Sequence, residues 1–213
     1  LRESPDLNAK VLAKIPNGTP LECLGDGGEG SLSFCTAQLQ QPAAEDYGFI
    51  HYSRLIFPAS DKNFVRLREQ PGHDDTLTLS GNGQKVHIVA RRIHPKRSDF
   101  SGISKDKYTA RLYQGKPFYG MDSMISKSVF ALERITLNGQ AVPAAELQGL
   151  FSPDFATTAR DSNVYQGWEA YYRGNDKTLY LFGRQGSDGN PFSICFIFKD
   201  GKFQRRYLWG AVI

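Results

Sequence analysis

The sequence predicts a mainly β protein: two tandem small β-barrels followed by an antiparallel β-sheet (α+β) domain. Three observations predict it. First, one pattern is written twice in the first two-thirds of the chain. Leu1-Arg2-Glu3-Ser4-Pro5 recurs as Leu67-Arg68-Glu69-Gln70-Pro71. Asn17-Gly18-Thr19-Pro20-Leu21-Glu22-Cys23-Leu24 recurs as Asn82-Gly83-Gln84-Lys85-Val86-His87-Ile88-Val89. Cys35-Thr36-Ala37-Gln38-Leu39 recurs as Tyr108-Thr109-Ala110-Arg111-Leu112, and Tyr47-Gly48 as Tyr119-Gly120. Four matches in the same order, at offsets between 65 and 73, imply two copies of one small folded unit. Second, 12% aromatic residues with 21 Gly and 11 Pro among 213 favour strands joined by turns. Third, the final third carries hairpin signals, Asn138-Gly139 and Asp200-Gly201, beside apolar runs.

The elements follow in chain order. In the first unit, residues 1–57, a short amphipathic strand is expected over 10–15, and Asn17-Gly18 marks a turn. Strands are expected over 21–24, 32–39 and 47–51, separated by the glycine-rich run 25–30 and the polar loop 40–46. Ser53-Arg54-Leu55 reads as a single helical turn. Short strands joined by turns, with no long helix, describe a small closed barrel. Residues 58–62 form a short linker. The second, diverged barrel spans 64–130, with a basic insertion at 91–107 that lengthens the connection before Tyr108.

Residues 131–213 form the third unit. Residues 131–137 alternate towards Asn138-Gly139, and 143–150 suit a short helix with Pro143 near its start. A strand over 164–172 turns at Arg173-Gly174-Asn175-Asp176 into 179–184. Strands 192–198 and 203–209 pair around Asp200-Gly201. Because 192–198 is apolar on both faces, it must be a central strand covered by the rest of the chain.

Residues 1–57 resemble the bacterial SH3-like (SH3b) domain. Leu1-Arg2-Glu3-Ser4-Pro5 echoes that family's opening segment, and Ile15-Pro16-Asn17-Gly18-Thr19-Pro20-Leu21 its Pro-x-Gly turn. Tyr47-Gly48-Phe49-Ile50-His51-Tyr52-Ser53-Arg54-Leu55 echoes its closing segment and is the most specific of the three. Residues 64–126 resemble it more loosely, with Gly115-Lys116-Pro117-Phe118-Tyr119-Gly120-Met121 in place of the usual closing strand. The middle-strand Trp that helps line the family's ligand face is replaced by Cys35 and Tyr108. The resemblance implies a binding module whose ligand is cell-wall peptide or another protein.

Charge is uneven. Residues 1–57 hold four Lys/Arg against seven Asp/Glu, a net −3, and the remainder holds 22 against 15, a net +7. A polyanionic partner is allowed but not demanded, and nucleic acid is not expected. No apolar run approaches the ~20 residues needed to cross a bilayer. The chain lacks an initiator Met and its first residue already falls in the opening motif, so further residues are expected upstream. For Cys23 and Cys35, on neighbouring strands, two readings stand. They are buried thiols, or a cross-strand disulfide worth roughly 3 kcal/mol that would place the protein outside the cytoplasm. Cys195 sits in an apolar strand and reads as a core residue.

Candidate sites are few. The four His (51, 73, 87, 94) are scattered without metal-ligand spacing, so neither metal nor cofactor is expected. Cys195 is followed by no His, and Gly-x-Ser-x-Gly is absent. No catalytic set is visible and the expectation is a non-enzyme. Tyr47, Tyr52, Tyr108, Tyr113 and Tyr119, with His51, are the candidate ligand-binding residues, because Tyr offers area and a hydroxyl at low entropic cost. Arg91, Arg92, His94, Lys96 and Arg97 form a candidate basic contact loop, with a solvated loop as the plainer reading.

The leading expectation is a non-enzymatic binding or adaptor protein of the bacterial cell envelope, periplasmic or secreted. It would recognise cell-wall peptide or a protein partner through its SH3-like barrels. The alternatives are an immunity-type inhibitor that binds a secreted toxin or enzyme, and an accessory part of a cell-wall hydrolase.

Overall fold

The computed structural model describes residues 1–26, 34–38, 47–71, 75–103, 105, 110, 112–120, 128–153, 155, 167–185 and 192–210. It is mainly β, with antiparallel sheets throughout. Among the described residues no helix is long and apolar enough to cross a membrane.

The first sheet has three strands in chain order: β1 (Glu22–Asp26), β2 (Phe34–Gln38) and β3 (Tyr47–His51). A single 3-10 turn, Tyr52–Arg54, follows, where the sequence predicts a helical turn. The next strands are β4 (Phe64–Arg66), β5 (Arg68–Gln70), β6 (Thr76–Gly81) and β7 (Gln84–Ile93). β8 (Phe100–Ser101) and β9 (Leu112–Tyr113) form a small pair of their own. Then come β10 (Val129–Leu137), β11 (Gln140–Ala141), β12 (Gly167–Arg173), β13 (Thr178–Gln185), β14 (Phe192–Lys199) and β15 (Lys202–Gly210).

These make two five-stranded sheets. The second sheet runs β11-β10-β7-β6-β5, and the third runs β15-β14-β13-β12-β4. Three hairpins share one turn chemistry. Asn82-Gly83, Asn138-Gly139 and Asp200-Gly201 all hold positive φ at both positions (49° and 71°, 50° and 84°, 50° and 74°). That is the backbone a two-residue hairpin requires, and it explains the Asn/Asp-Gly choice.

The second and third sheets pack face to face over one core. Val86 and Ile88 on β7 and Ile135 and Leu137 on β10 meet Leu181 on β13 and Phe196 on β14. Strand β14 is central, as its two apolar faces predict. Ile194, Phe196 and Phe198 enter this core, while Cys195 joins a second cluster on the opposite face. Gly183 is required beside it, because a Cβ there would sit 2.8 Å from the Trp168 ring that packs on Phe196.

One segment belongs to both sheets. β4 pairs with β12, and β5 pairs with β6. Between them Leu67 is buried and donates its backbone N–H to the Ala170 carbonyl at 2.8 Å. The chain thus crosses from the third sheet to the second within one residue.

The mainly β expectation holds, but the division of the chain does not follow the expected plan. Among the described residues no closed barrel forms. The expected boundary between 64–130 and 131–213 falls inside β10, which pairs along β7 with Ile88 opposite Ile135 and Ala90 opposite Leu132. Pairing between strands distant in sequence buries more apolar surface than a 67-residue barrel would, so 64–210 make one two-sheet body. The two copies of the repeat also fold differently. Asn82-Gly83 closes the β6–β7 hairpin, whereas Asn17-Gly18 precedes β1 without linking paired strands.

Smaller corrections follow from the same cause. Arg91 and Arg92, expected in a basic loop, extend β7, and a 3-10 turn at Arg97–Asp99 follows them. The expected helix over 143–150 is a single 3-10 turn, Ala144–Glu146. The expected strand over 10–15 is reduced to a bridge between Val11 and Arg2.

Candidate functional site

The third sheet has an aromatic outer face as well as its core face. Tyr180, Cys195, Tyr207 and Trp209 cluster there with Phe64, Phe182 and Ile197. Strand alternation places them together: Phe182, Cys195 and Tyr207 lie in one cross-strand row, with Tyr180 and Ile197 in the next. The first sheet's layer covers part of this face. Ser193 Oγ donates to Glu22 Oε1 at 2.6 Å, and a Cβ on Gly18 would sit 3.4 Å from the Tyr180 hydroxyl.

A cleft of about 910 Å³ lies between the two layers. Phe64, Arg173, Tyr180 and Phe182 line it from the third sheet, and Ile15, Pro20, Leu21, Phe49 and Ile50 from the first layer. Its mouth is apolar. The exposed large hydrophobic residues among those described are Leu7, Val11, Leu12, Tyr47, Ile56, Phe57 and Val65. Four of these, Leu7, Val11, Ile56 and Phe57, line the cleft. Exposed apolar side chains gathered at one concavity make it the candidate binding surface.

The charged side chains that line it are Arg2, Lys14, Arg54 and Arg173, with His51 beside them, and no Asp or Glu lines it among the described residues. Arg173 is already engaged: its Nε donates to Asp176 Oδ1 at 3.0 Å, its Nη2 to Oδ2, and its guanidinium lies over Phe64 and Tyr180. That hydrogen bond raises the Arg173 pKa and lowers that of Asp176. Arg2 Nη1 donates to the Ala9 carbonyl at 2.6 Å. Lys14 and Arg54 are solvent-exposed at the rim.

Burial raises the Tyr180 pKa above the usual tyrosine range, with Arg173 opposing it. The unfolded chain therefore ionises this hydroxyl first. Its stabilising contribution is full below the ordinary value of about 10 and declines as pH rises through the folded value. Urea unfolding at pH 9 and pH 11 should show a lower midpoint at pH 11, and Tyr180→Phe should shrink that difference.

A disulfide, Cys23–Cys35, ties β1 to β2 in the cleft wall, with Cα atoms 6.0 Å apart. The two positions are diagonal across the strand pair, since Cys23 faces Ala37 and Cys35 faces Asp26 across a register shift. Cys35 is buried and Cys23 exposed. Of the two readings the sequence left open, the bonded one is the arrangement seen.

The structure does not gather the six predicted ligand-binding residues into one stripe. His51 lines the cleft, its Nδ1 2.8 Å from Ser53 Oγ. Tyr47 is exposed on β3 outside the cleft lining, and Tyr52 packs on Phe57 at 6.1 Å between ring centroids. Tyr113 packs between Phe100 and Phe151 in a separate aromatic cluster, and Tyr119 rests on Phe192 against the shared core. Tyr108 lies outside the described residues. In the basic stretch, Arg91 lies 3.8 Å from Glu133, and Arg92 lies over the Phe130 ring. The Lys96 backbone N–H donates to Asp99 Oδ2 at 2.7 Å, which holds the 3-10 turn containing Arg97, and His94 is exposed before it.

Sequence reasoning missed the cleft floor. Phe64 comes from the second unit of the expected plan, and Arg173, Tyr180 and Phe182 from the third. The signal was present in strand 192–198, whose second apolar face needed a partner. Among the described residues no cluster of three His, Cys, Asp or Glu side chains can hold a metal ion. Cys195 is fully buried, and desolvation holds its thiol well above the ordinary range, so it presents no thiolate to solvent.

Comparison of the chain with protein-family models, with curated proteins and with solved structures finds no match in any of the three.

Proposed function

We propose that this chain is a non-enzymatic binding protein of the bacterial cell envelope, and that the cleft between its first and third sheets holds a short extended peptide. One observation carries the reading: a cleft with an apolar mouth, ringed by cations and lined by no carboxylate among the described residues. Such a lining suits a ligand with an apolar side chain and an anionic group, and a cell-wall peptide has both. The resemblance of residues 1–57 to SH3-like modules supports the same reading. Strand β3 and the 3-10 turn after it coincide with the segment that carries the resemblance. The Cys23–Cys35 bond supports a periplasmic or secreted location, since structural disulfides persist in oxidising compartments.

The test is co-sedimentation with intact peptidoglycan sacculi at low and high salt. Binding should survive high salt, because apolar burial does not screen. Ile56→Asp at the exposed mouth should weaken it about tenfold or more, the worth of one buried aliphatic side chain. Arg54→Glu should weaken it mainly at low salt. Absence of sedimentation at both salts, or sedimentation that Ile56→Asp leaves untouched, would remove cell-wall peptide as the ligand and point to a protein partner.

A further inference from the structure

The outer face of the second sheet is unlike the outer face of the third. Among the described residues it is polar and basic, with exposed and half-buried side chains. Cross-strand register arranges it in rows. The first holds Arg68, Ser80 and Lys85 on β5, β6 and β7. The second holds Gln70, Thr78, His87 and Thr136 on β5, β6, β7 and β10. The third holds Thr76, Val89 and Arg134, and the fourth brings Arg91 beside Ala131. Residues of the same strands that face the other way, Leu77, Leu79, Val86, Ile88 and Ile135, are buried in the shared core, so the face is defined by alternation.

Arg68, Lys85, Arg91 and Arg134 are exposed on it. Among the described residues of these strands, Glu133 is the carboxylate on this side. It sits at the β10 bulge and pairs at 3.8 Å with Arg91, at one end of the face. The other three cations have no carboxylate partner among the described residues. Between them lies a band of hydroxyl, amide and imidazole groups. Thr78 Oγ1 and His87 Nδ1 are 3.0 Å apart within it. No Phe, Tyr or Trp projects from these strands on this side among the described residues.

We infer that this face is a second binding surface, separate from the cleft, for an anionic polysaccharide laid across the strands. The spacing of charge decides the class. Rows one and three are two alternate-residue steps apart, roughly 13 Å, and the row between carries no fixed charge. A nucleic acid strand presents a phosphate about every 3.4 Å of its axis, and it would leave phosphates against uncharged hydroxyls. The face also lacks the aromatic platform on which unpaired bases stack. A polysaccharide with acidic groups separated by neutral sugars matches both parts. Its acidic groups meet the Arg and Lys forks, and its hydroxyls meet Thr78, Thr136, Gln70 and His87.

The experiment measures binding of fluorescently labelled hyaluronate oligosaccharide, neutral dextran and duplex DNA by anisotropy, at two salt concentrations. Hyaluronate should bind more tightly than DNA at equal salt, and dextran should not bind. The double variant Arg68→Glu with Arg134→Glu should lose about tenfold or more in hyaluronate affinity. Thr78→Ala with Thr136→Ala should lose about threefold, with an unchanged salt slope. All four positions lie on the solvent side, and an unchanged melting curve shows each variant folded. Ile56→Asp at the cleft should leave hyaluronate binding intact, so this surface and the cleft stand or fall apart. Tighter binding to DNA than to hyaluronate, no hyaluronate binding, or full binding by the charge-reversed variant would overturn the inference.

Discussion

Phe196→Ala is expected to destabilise the protein by about 3–5 kcal/mol, the usual cost of emptying a fully buried aromatic site. The Phe196 ring is inaccessible, lies parallel to Trp168 at 6.4 Å and meets Phe203 at the same distance. It stands where the second and third sheets face each other, so the cavity would be lined from both. The loss should appear as one cooperative transition, with far-ultraviolet signal and the fluorescence of Trp168 and Trp209 moving together in urea. Ile88→Ala, on the opposite sheet, should shift that same transition by about 2–5 kcal/mol. Two separable transitions, one insensitive to Ile88, would mean that residues 64–130 and 131–213 fold independently after all.

The second large effect concerns the first layer. Replacing Cys23 and Cys35 together by serine, or reducing the bond, should cost that layer about 3 kcal/mol by releasing the loop between them. The layer has little else to hold it: among its described hydrophobic side chains, only Cys35 and Ala37 are fully buried. Small units with thin cores depend on such staples. The two-sheet body has its own core and should keep its melting behaviour. Limited proteolysis should then cut within residues 1–57 of the reduced protein while 64–210 resist. The cleft would lose one wall, so sacculus binding should fall while hyaluronate binding persists. Equal protease resistance with and without reductant would show that packing on Tyr180 and Ser193 suffices to hold the layer.

Local chemistry was the part of this fold that could be read directly. Asn138-Gly139 and Asp200-Gly201 announce hairpins, because few other pairs tolerate positive φ twice in succession. Tyr47–His51 and the turn after it were also placed correctly from the local pattern of their own segment. The partner of each strand was not legible. The match between Leu1-Arg2-Glu3 and Leu67-Arg68-Glu69 is a similarity of letters, yet the first segment bridges to Phe49 and Val11 while the second pairs with β6. Two identical local preferences reach different partners when the surrounding apolar surface differs.

The site was legible only in part. His51 could be named from its own segment, whereas Arg173 and Tyr180 became neighbours of the cleft only through the pairing of β13 with β12 and β14. The tyrosines were chosen for their type, and Tyr113 and Tyr119 turned out to spend their rings on packing. The basic stretch was read as one loop. The cations of the second sheet's outer face, Arg68, Lys85 and Arg134, lie outside that stretch, and strand register rather than any run of sequence brings them together.

The segment shared by the two sheets sets an order of events during synthesis. β4 leaves the ribosome more than a hundred residues before its pairing partner β12, with Arg66 opposite Tyr171. β5 is joined to it through Leu67, so neither sheet has both edges in place until most of the chain has emerged. Until then β7 displays Val86 and Ile88 without the third sheet above them. Closing so long a loop is slow, and the waiting intermediate offers open strand edges to its neighbours. The nascent protein is thus most vulnerable to aggregation before Phe192–Lys199 is made, and folding yield should depend on chaperone supply far more than the stability of the finished molecule does.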